Sequence, residues 1–138
     1  MRRLLPLIFA LVLFASCDNT DHCRTPIGIT NFQIEPFSAS YPGLNSVGGY
    51  EYLTGGHCGV IIVRTGLEDF VAYERTCPLD TTTAVQVSAE YGSSVLECPV
   101  CHSFFSVYSN GTPMTNSQTP CSLFEYGTTF NGRTLWVY

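Results

Sequence analysis

The feature that most constrains this chain is a pair of cysteine–proline turns, Cys77-Pro78-Leu79-Asp80 and Cys98-Pro99-Val100-Cys101-His102-Ser103-Phe104-Phe105. Each follows a short apolar run, Phe70 to Tyr73 before the first and Ser94 to Leu96 before the second. Each therefore reads as a loop that ends a strand. Two such loops meeting at one tip would gather sulfur, a carboxylate and an imidazole in one place, so the surrounding strands must be arranged to carry them side by side.

The rest of the chain supplies those strands. Beyond its first 16 residues no stretch sustains an apolar period of about 3.6, and Gly, Pro and Asn recur every 8 to 12 residues or so, a rhythm of short strands and turns. Gly28 to Ile34 is a first strand ending at Pro36, and Ser38 to Val47 is a loop turning at Tyr41-Pro42-Gly43. Gly49 to Thr54 and Val60 to Arg64 flank Gly55-Gly56-His57-Cys58-Gly59 and read as a hairpin. Val60-Ile61-Ile62-Val63 is apolar on both faces, which predicts a central strand covered on both sides. Further strands are expected at Phe70 to Tyr73, Val85 to Ser88, Ser94 to Leu96, Phe104 to Tyr108, Leu123 to Phe130 and Thr134 to Tyr138, with Tyr91-Gly92 as a turn. His57-Cys58 lies in the hairpin turn without the spacing of a ligand set or a nucleophile–base pair.

At the N-terminus Arg2-Arg3 precedes an apolar run from Leu4 to Ala15, closed by small residues before Cys17. A run of about a dozen residues is too short to span a bilayer and reads as a signal peptide. Leu13-Phe14-Ala15-Ser16-Cys17 resembles a bacterial lipobox, with Phe14 departing from the usual Leu. The resemblance implies a lipid on Cys17, which would anchor a protein that has no spanning segment. The expected organisation is a signal peptide over residues 1–16, a lipid-anchored tether over 17–27 and one domain over 28–138, exported to the bacterial cell envelope.

Removing the leader leaves 4 Arg and no Lys against 11 Asp and Glu, a net charge of −7. Nucleic acid and anionic bilayers are poor partners for such a surface, because binding phosphate requires a cationic footprint. There is no Gly-x-Ser-x-Gly and no phosphate-binding loop, so no hydrolytic or phosphoryl-transfer class is indicated. Besides Cys17, six cysteines remain: Cys23, Cys58, Cys77, Cys98, Cys101 and Cys121. In an exported chain these are disulfide candidates, and six allow 15 connectivities between which the sequence does not choose.

The two cysteine loops resemble the signature of the Rieske iron–sulfur family, Cys-x-His followed by Cys-x-x-His, each commonly with Pro after the Cys. Ser103-Phe104-Phe105, the Asn110-Gly111 turn, Pro120, Leu123 with Tyr126, and Gly132, Leu135 and Val137 continue the likeness downstream. Upstream, Asn31 to Ile34, Gly48-Gly49-Tyr50, Gly55-Gly56 and Gly59 to Arg64 resemble a Rieske-like lipoprotein group of Bacteroidetes bacteria, in which the cluster ligands are often degenerate. The resemblance implies an all-β, Rieske-like antiparallel sandwich of small sheets with a two-loop subdomain. It also implies a [2Fe–2S] centre in which two Cys hold one iron and two His the other. Cys77 and Cys98 stand at the Cys positions, but Leu79 and Cys101 stand where the two His belong, and His102 is one residue late. Three fillings of the tip follow. The first is a disulfide from Cys77 to Cys98 or Cys101, with no cofactor, in an exported binding or structural module. The second is a [2Fe–2S] cluster with altered ligands, with Asp80 or His102 as substitutes, in an electron-transfer protein with a redox partner. The third is zinc on Cys77, Cys98, Cys101 and His102, the residue types of a Cys₃His site.

Overall fold

A computed structural model of the chain describes residues 23–138. The segments expected to be a signal peptide and tether, Cys17 included, lie outside the described residues except for residues 23–27. Eleven strands form three antiparallel sheets, and no α-helix occurs among the described residues. The first sheet has the order β1-β11-β10, with β1 at Phe32–Ile34, β10 at Thr128–Phe130 and β11 at Leu135–Val137. The second has the order β2-β3-β4-β9, with β2 at Tyr50–Leu53, β3 at Val60–Arg64, β4 at Phe70–Glu74 and β9 at Glu125–Tyr126. The third has the order β5-β6-β7-β8, with β5 at Gln86–Ser88, β6 at Gly92–Glu97, β7 at Phe104–Ser106 and β8 at Thr112–Pro113.

The second sheet is the middle of the molecule, and the side-chain period of a strand explains why. Successive residues of a strand point to opposite faces, so a strand buried on both sides must be apolar throughout. In β3, Val60 and Ile62 enter one core with Ile34, Leu44, Phe70, Ala72, Tyr126, Leu135 and Val137, against the first sheet. Ile61 and Val63 enter the other with Tyr73, Val85, Leu96, Phe105, Val107 and Leu123, against the third sheet. Val60, Ile61, Ile62 and Val63 are all fully buried, as their uniform apolarity predicts. Because the pairing of β3 with β4 runs Val60↔Glu74 to Arg64↔Phe70, a one-residue slip would exchange the two cores.

Differences from the sequence reading are confined to edges. The first strand is only Phe32–Ile34, and the Tyr41-Pro42-Gly43 turn tightens into a single 3-10 turn over Pro42–Asn45 that buries Leu44. The strand expected over Leu123 to Phe130 breaks at Gly127 into β9 and β10, so it pairs with two different sheets. β8 was not anticipated; it follows the Asn110-Gly111 turn, where both residues adopt positive φ, 54° and 66°. A side chain added at Gly111 would press on Tyr73 and Leu123, so that turn packs its backbone onto the core beneath the loops.

Candidate functional site: a three-thiol tip

The third sheet carries the two cysteine loops as a subdomain. The first loop leaves β4 and closes on itself: Cys77 N–H donates to Thr83 O at 2.9 Å, Thr83 N–H to Asp80 O at 3.0 Å, and Thr76 bridges to Ala84. The Asp80 carboxylate accepts from Thr82 N–H, Thr82 Oγ1 and Thr83 Oγ1. The Thr83 and Thr82 hydroxyls, with the Thr82 N–H, hold its pKa below the usual range. Asp80 therefore spends its carboxylate on shaping the loop. What it offers the cysteine is its backbone N–H, 3.5 Å from Cys77 Sγ.

The second loop joins β6 to β7 and is tighter. Cys98 N–H donates to Ser103 O at 3.0 Å and His102 N–H to Cys98 O at 2.9 Å. This turn puts His102 in the left-handed region, φ 55°. Its side chain is 70% exposed, with Nδ1 3.4 Å from Glu97 Oε1. Cys101 turns the other way, inward, with Sγ 3.6 Å from Cys77 Sγ and 3.2 Å from Ser103 Oγ. Ser103 is fully buried and also accepts from Gln118 N–H at 3.0 Å, while Ser117 Oγ bonds both N–H and C=O of Phe104. Residues 114–118 thereby brace the loop from outside.

Cys77, Cys98 and Cys101 bring their sulfur atoms within 4.8 Å of one another, and the first two are fully buried in the core under the tip. Burial pushes the Cys77 thiol up to about 12. Burial also acts upward on Cys101, but the Ser103 hydroxyl and N–H and the neighbouring thiols outweigh it and leave Cys101 below the ordinary thiol range.

The tip bridge expected from Cys77 to Cys98 or Cys101 is not formed: all three are free thiols. Cys77 Sγ and Cys101 Sγ stand 3.6 Å apart, beyond the roughly 2.05 Å of a disulfide bond. Cys58, a further disulfide candidate, is also free, with Sγ 3.3 Å from His57 Nδ1. Cys23 and Cys121 form a disulfide that ties the start of the described chain to the segment after the bracing residues. Of the possible substitute ligands, neither Asp80 nor His102 joins the sulfur group, and Leu79, 53% exposed, has no donor atom.

Sequence reasoning missed Glu74. It ends β4 fully buried, and its carboxylate accepts five hydrogen bonds: from His57 N–H (2.7 Å) and Tyr126 Oη (2.8 Å) on one oxygen, and from Cys58 N–H (3.0 Å), Thr76 N–H (3.0 Å) and Thr76 Oγ1 (2.8 Å) on the other. Burial raises its pKa, but the His57 and Cys58 N–H groups, Tyr126 and Thr76 outweigh that and the net shift is downward. Glu74 thus anchors the Gly55–Gly59 turn and the start of the first loop together. A charge closing an apolar run carries no such message in the sequence, because it looks the same as a strand reaching solvent. Tyr73 supports the second side: its hydroxyl donates to Val107 O at 2.8 Å, and burial followed by the Glu125 carboxylate keeps it neutral well above the usual phenol range.

No protein-family model matches the chain, and no curated protein matches it. Among solved structures it is similar to the ferredoxin of carbazole 1,9a-dioxygenase from Nocardioides aromaticivorans IC177, with 21% identity and a TM-score of 0.48 over 67% of this chain and 86% of that one. It is also similar to a chain in the complex of reduced oxygenase and oxidized ferredoxin in carbazole 1,9a-dioxygenase, with 22% identity and a TM-score of 0.51 over 76% of this chain and 91% of that one. Identity at this level speaks to the fold. Three small antiparallel sheets, two cysteine loops on one subdomain and this likeness together make the architecture all-β and Rieske-like.

Proposed function

We propose that the chain is an exported, lipid-anchored Rieske-like domain that has lost the [2Fe–2S] cluster and acts as a binding module through its two-loop tip. The observation that carries this is the missing imidazole half of the site. A Rieske centre needs two neutral imidazoles on its outer iron. At those positions Leu79 faces solvent without a donor and Cys101 has folded in to 3.6 Å from Cys77. The one imidazole on the loops, His102, points outward to Glu97. The residues present do not fit the cluster.

Binding is supported by what the tip displays. Leu79 from the first loop and Val100 from the second are 53% and 61% exposed, apolar side chains on the loops that carry the sulfurs and of the kind a partner protein can cover. Export and anchoring rest on the Arg2-Arg3, Leu4 to Ala15, Cys17 order. The test is iron and acid-labile sulfide analysis of the full chain purified anaerobically. The expected result is neither in stoichiometric amount; both in stoichiometric amount would overturn the proposal.

A second reading, electron transfer with a redox partner, is favoured by one observation: the fold is like that of a chain from a complex of an oxygenase with a ferredoxin. Under that reading the tip would be the docking face, and the three cysteines would have to supply the thiolates for any iron.

A further inference from the structure

The tip thiols do more than mark a lost cluster. We infer that Cys77, Cys98 and Cys101 form a binding site for a single thiophilic metal ion, Zn(II) or Cu(I), with a fourth position left for solvent or an exogenous ligand. The inference rests on the cluster-free reading, because a two-iron centre spreads its ligands over two metals whereas these sulfurs converge on one point.

The geometry suits one ion. With a metal–sulfur distance of about 2.3 Å, two thiolates on a tetrahedral ion lie about 3.8 Å apart. Cys77 Sγ and Cys101 Sγ are 3.6 Å apart, and all three sulfurs fall within 4.8 Å of one another. Three thiolates are the ligands that soft ions prefer. The shell around the sulfurs is also that of a ligand set: the Asp80 N–H faces Cys77 Sγ, and the buried Ser103 hydroxyl, itself fixed by Gln118 N–H, faces Cys101 Sγ. Groups of this kind orient metal ligands and share their charge.

The elements that hold the sulfurs are independently fixed. Cys77 follows the strand anchored by Glu74, Cys98 immediately follows β6, and Cys101 is set by the left-handed turn at His102. Binding requires the three thiols to release their protons to solvent as the ion enters, so no oxidant or reductant takes part. His102 cannot complete the set without reversing that turn, and Asp80 would have to give up the three bonds that shape its loop. The site is therefore a three-sulfur site, distinct from Cys₃His zinc.

The test uses the full chain, solubilised from membranes, stripped with chelator and reduced. Zn(II) is titrated against a chromophoric chelator, Co(II) serves as the spectroscopic stand-in for Zn(II), and Cu(I) is titrated separately to separate the two ions. One ion per chain is expected, with thiolate-to-cobalt charge-transfer absorption that shifts when imidazole or a small thiol is added. Cys101→Ser should weaken binding at least 100-fold or so, whereas Cys58→Ser should leave it unchanged. Because Cys101→Ser could disturb the loop, alkylation of the wild-type thiols is read by mass spectrometry with and without Zn(II); protection of Cys77, Cys98 and Cys101 together is expected. Absence of binding by both ions, loss of binding in Cys58→Ser, or a disulfide between two of the three in the protein as isolated would overturn the inference. Those results leave the cluster-free reading standing, while iron with labile sulfide would remove that reading itself.

Discussion

Glu74 offers the sharpest single test of how the tip is supported. Replacing it with Gln keeps the shape and one acceptor oxygen but puts an NH₂ group where Oε2 accepts from His57 N–H at 2.7 Å. Tyr126 can turn its hydroxyl to accept instead, since it also lies 3.1 Å from Gly28 O; a backbone N–H cannot. An unpaired, partly buried N–H costs about 1 to 3 kcal/mol, and each bond that passes from a charged to a neutral acceptor loses about 1 kcal/mol. Relief from burying a charge offsets part of that, leaving about 3 kcal/mol. For a domain of about 115 residues this corresponds to a fall in melting temperature of about 12 °C. Guanidinium unfolding at pH 7, followed by far-UV circular dichroism, measures it directly. The pH dependence has a definite sign. Glu74 titrates below its unfolded value, so its contribution is complete above about pH 4.3 and disappears as pH falls through the lower folded value. Gln does not titrate, so the gap between the two proteins should stay constant from neutral pH to about 5 and shrink below about 4. A variant within about 0.5 kcal/mol of wild type at pH 7 would refute the argument that this carboxylate anchors the Gly55–Gly59 turn and the start of the first cysteine loop.

Three further outcomes follow from other parts of the molecule. Gly56→Ala should destabilise by about 2 to 3 kcal/mol in the same unfolding assay, because Gly56 has φ 61° and an added Cβ would collide with Glu74 Oε2; combined with Glu74→Gln the losses should be less than additive. Cys23→Ser opens a disulfide spanning 98 residues, and its unfolding midpoint should fall by the equivalent of about 2 to 5 kcal/mol, an effect reproduced in wild type by a reductant. Cys17→Ser should move the protein from the membrane fraction to the soluble fraction, read by fractionation and mass spectrometry of the processed N-terminus; an unprocessed, membrane-bound variant would dispose of the lipid anchor.

Much of the architecture was legible because two local patterns are unambiguous. Val60-Ile61-Ile62-Val63 announced a strand covered on both faces, and the two Cys-Pro turns after Phe70–Tyr73 and Ser94–Leu96 located the loops. What was not legible depends on direction, which sequence spacing does not encode. Cys101 and His102 are neighbours, and in the turn that gives His102 its positive φ the sulfur turns in and the imidazole turns out. Glu74 was equally opaque, and Ser103 stood out only within the Ser103-Phe104-Phe105 resemblance. Their importance comes from partners distant in the chain, Tyr126 and Gln118, which no local pattern connects. The likeness to a solved structure speaks to the arrangement of strands, and what the tip can hold depends on side chains such as Leu79 and Cys101, which a fold does not specify.

The most direct measurement is electron paramagnetic resonance of the anaerobically purified full chain after dithionite reduction. A reduced two-iron cluster is a mixed-valence pair with an unpaired spin, whatever mixture of Cys and other donors holds it. With Leu79 unable to ligate and Cys101 beside Cys77, the account predicts no such signal. A cluster signal integrating to a stoichiometric fraction of the chains would contradict it.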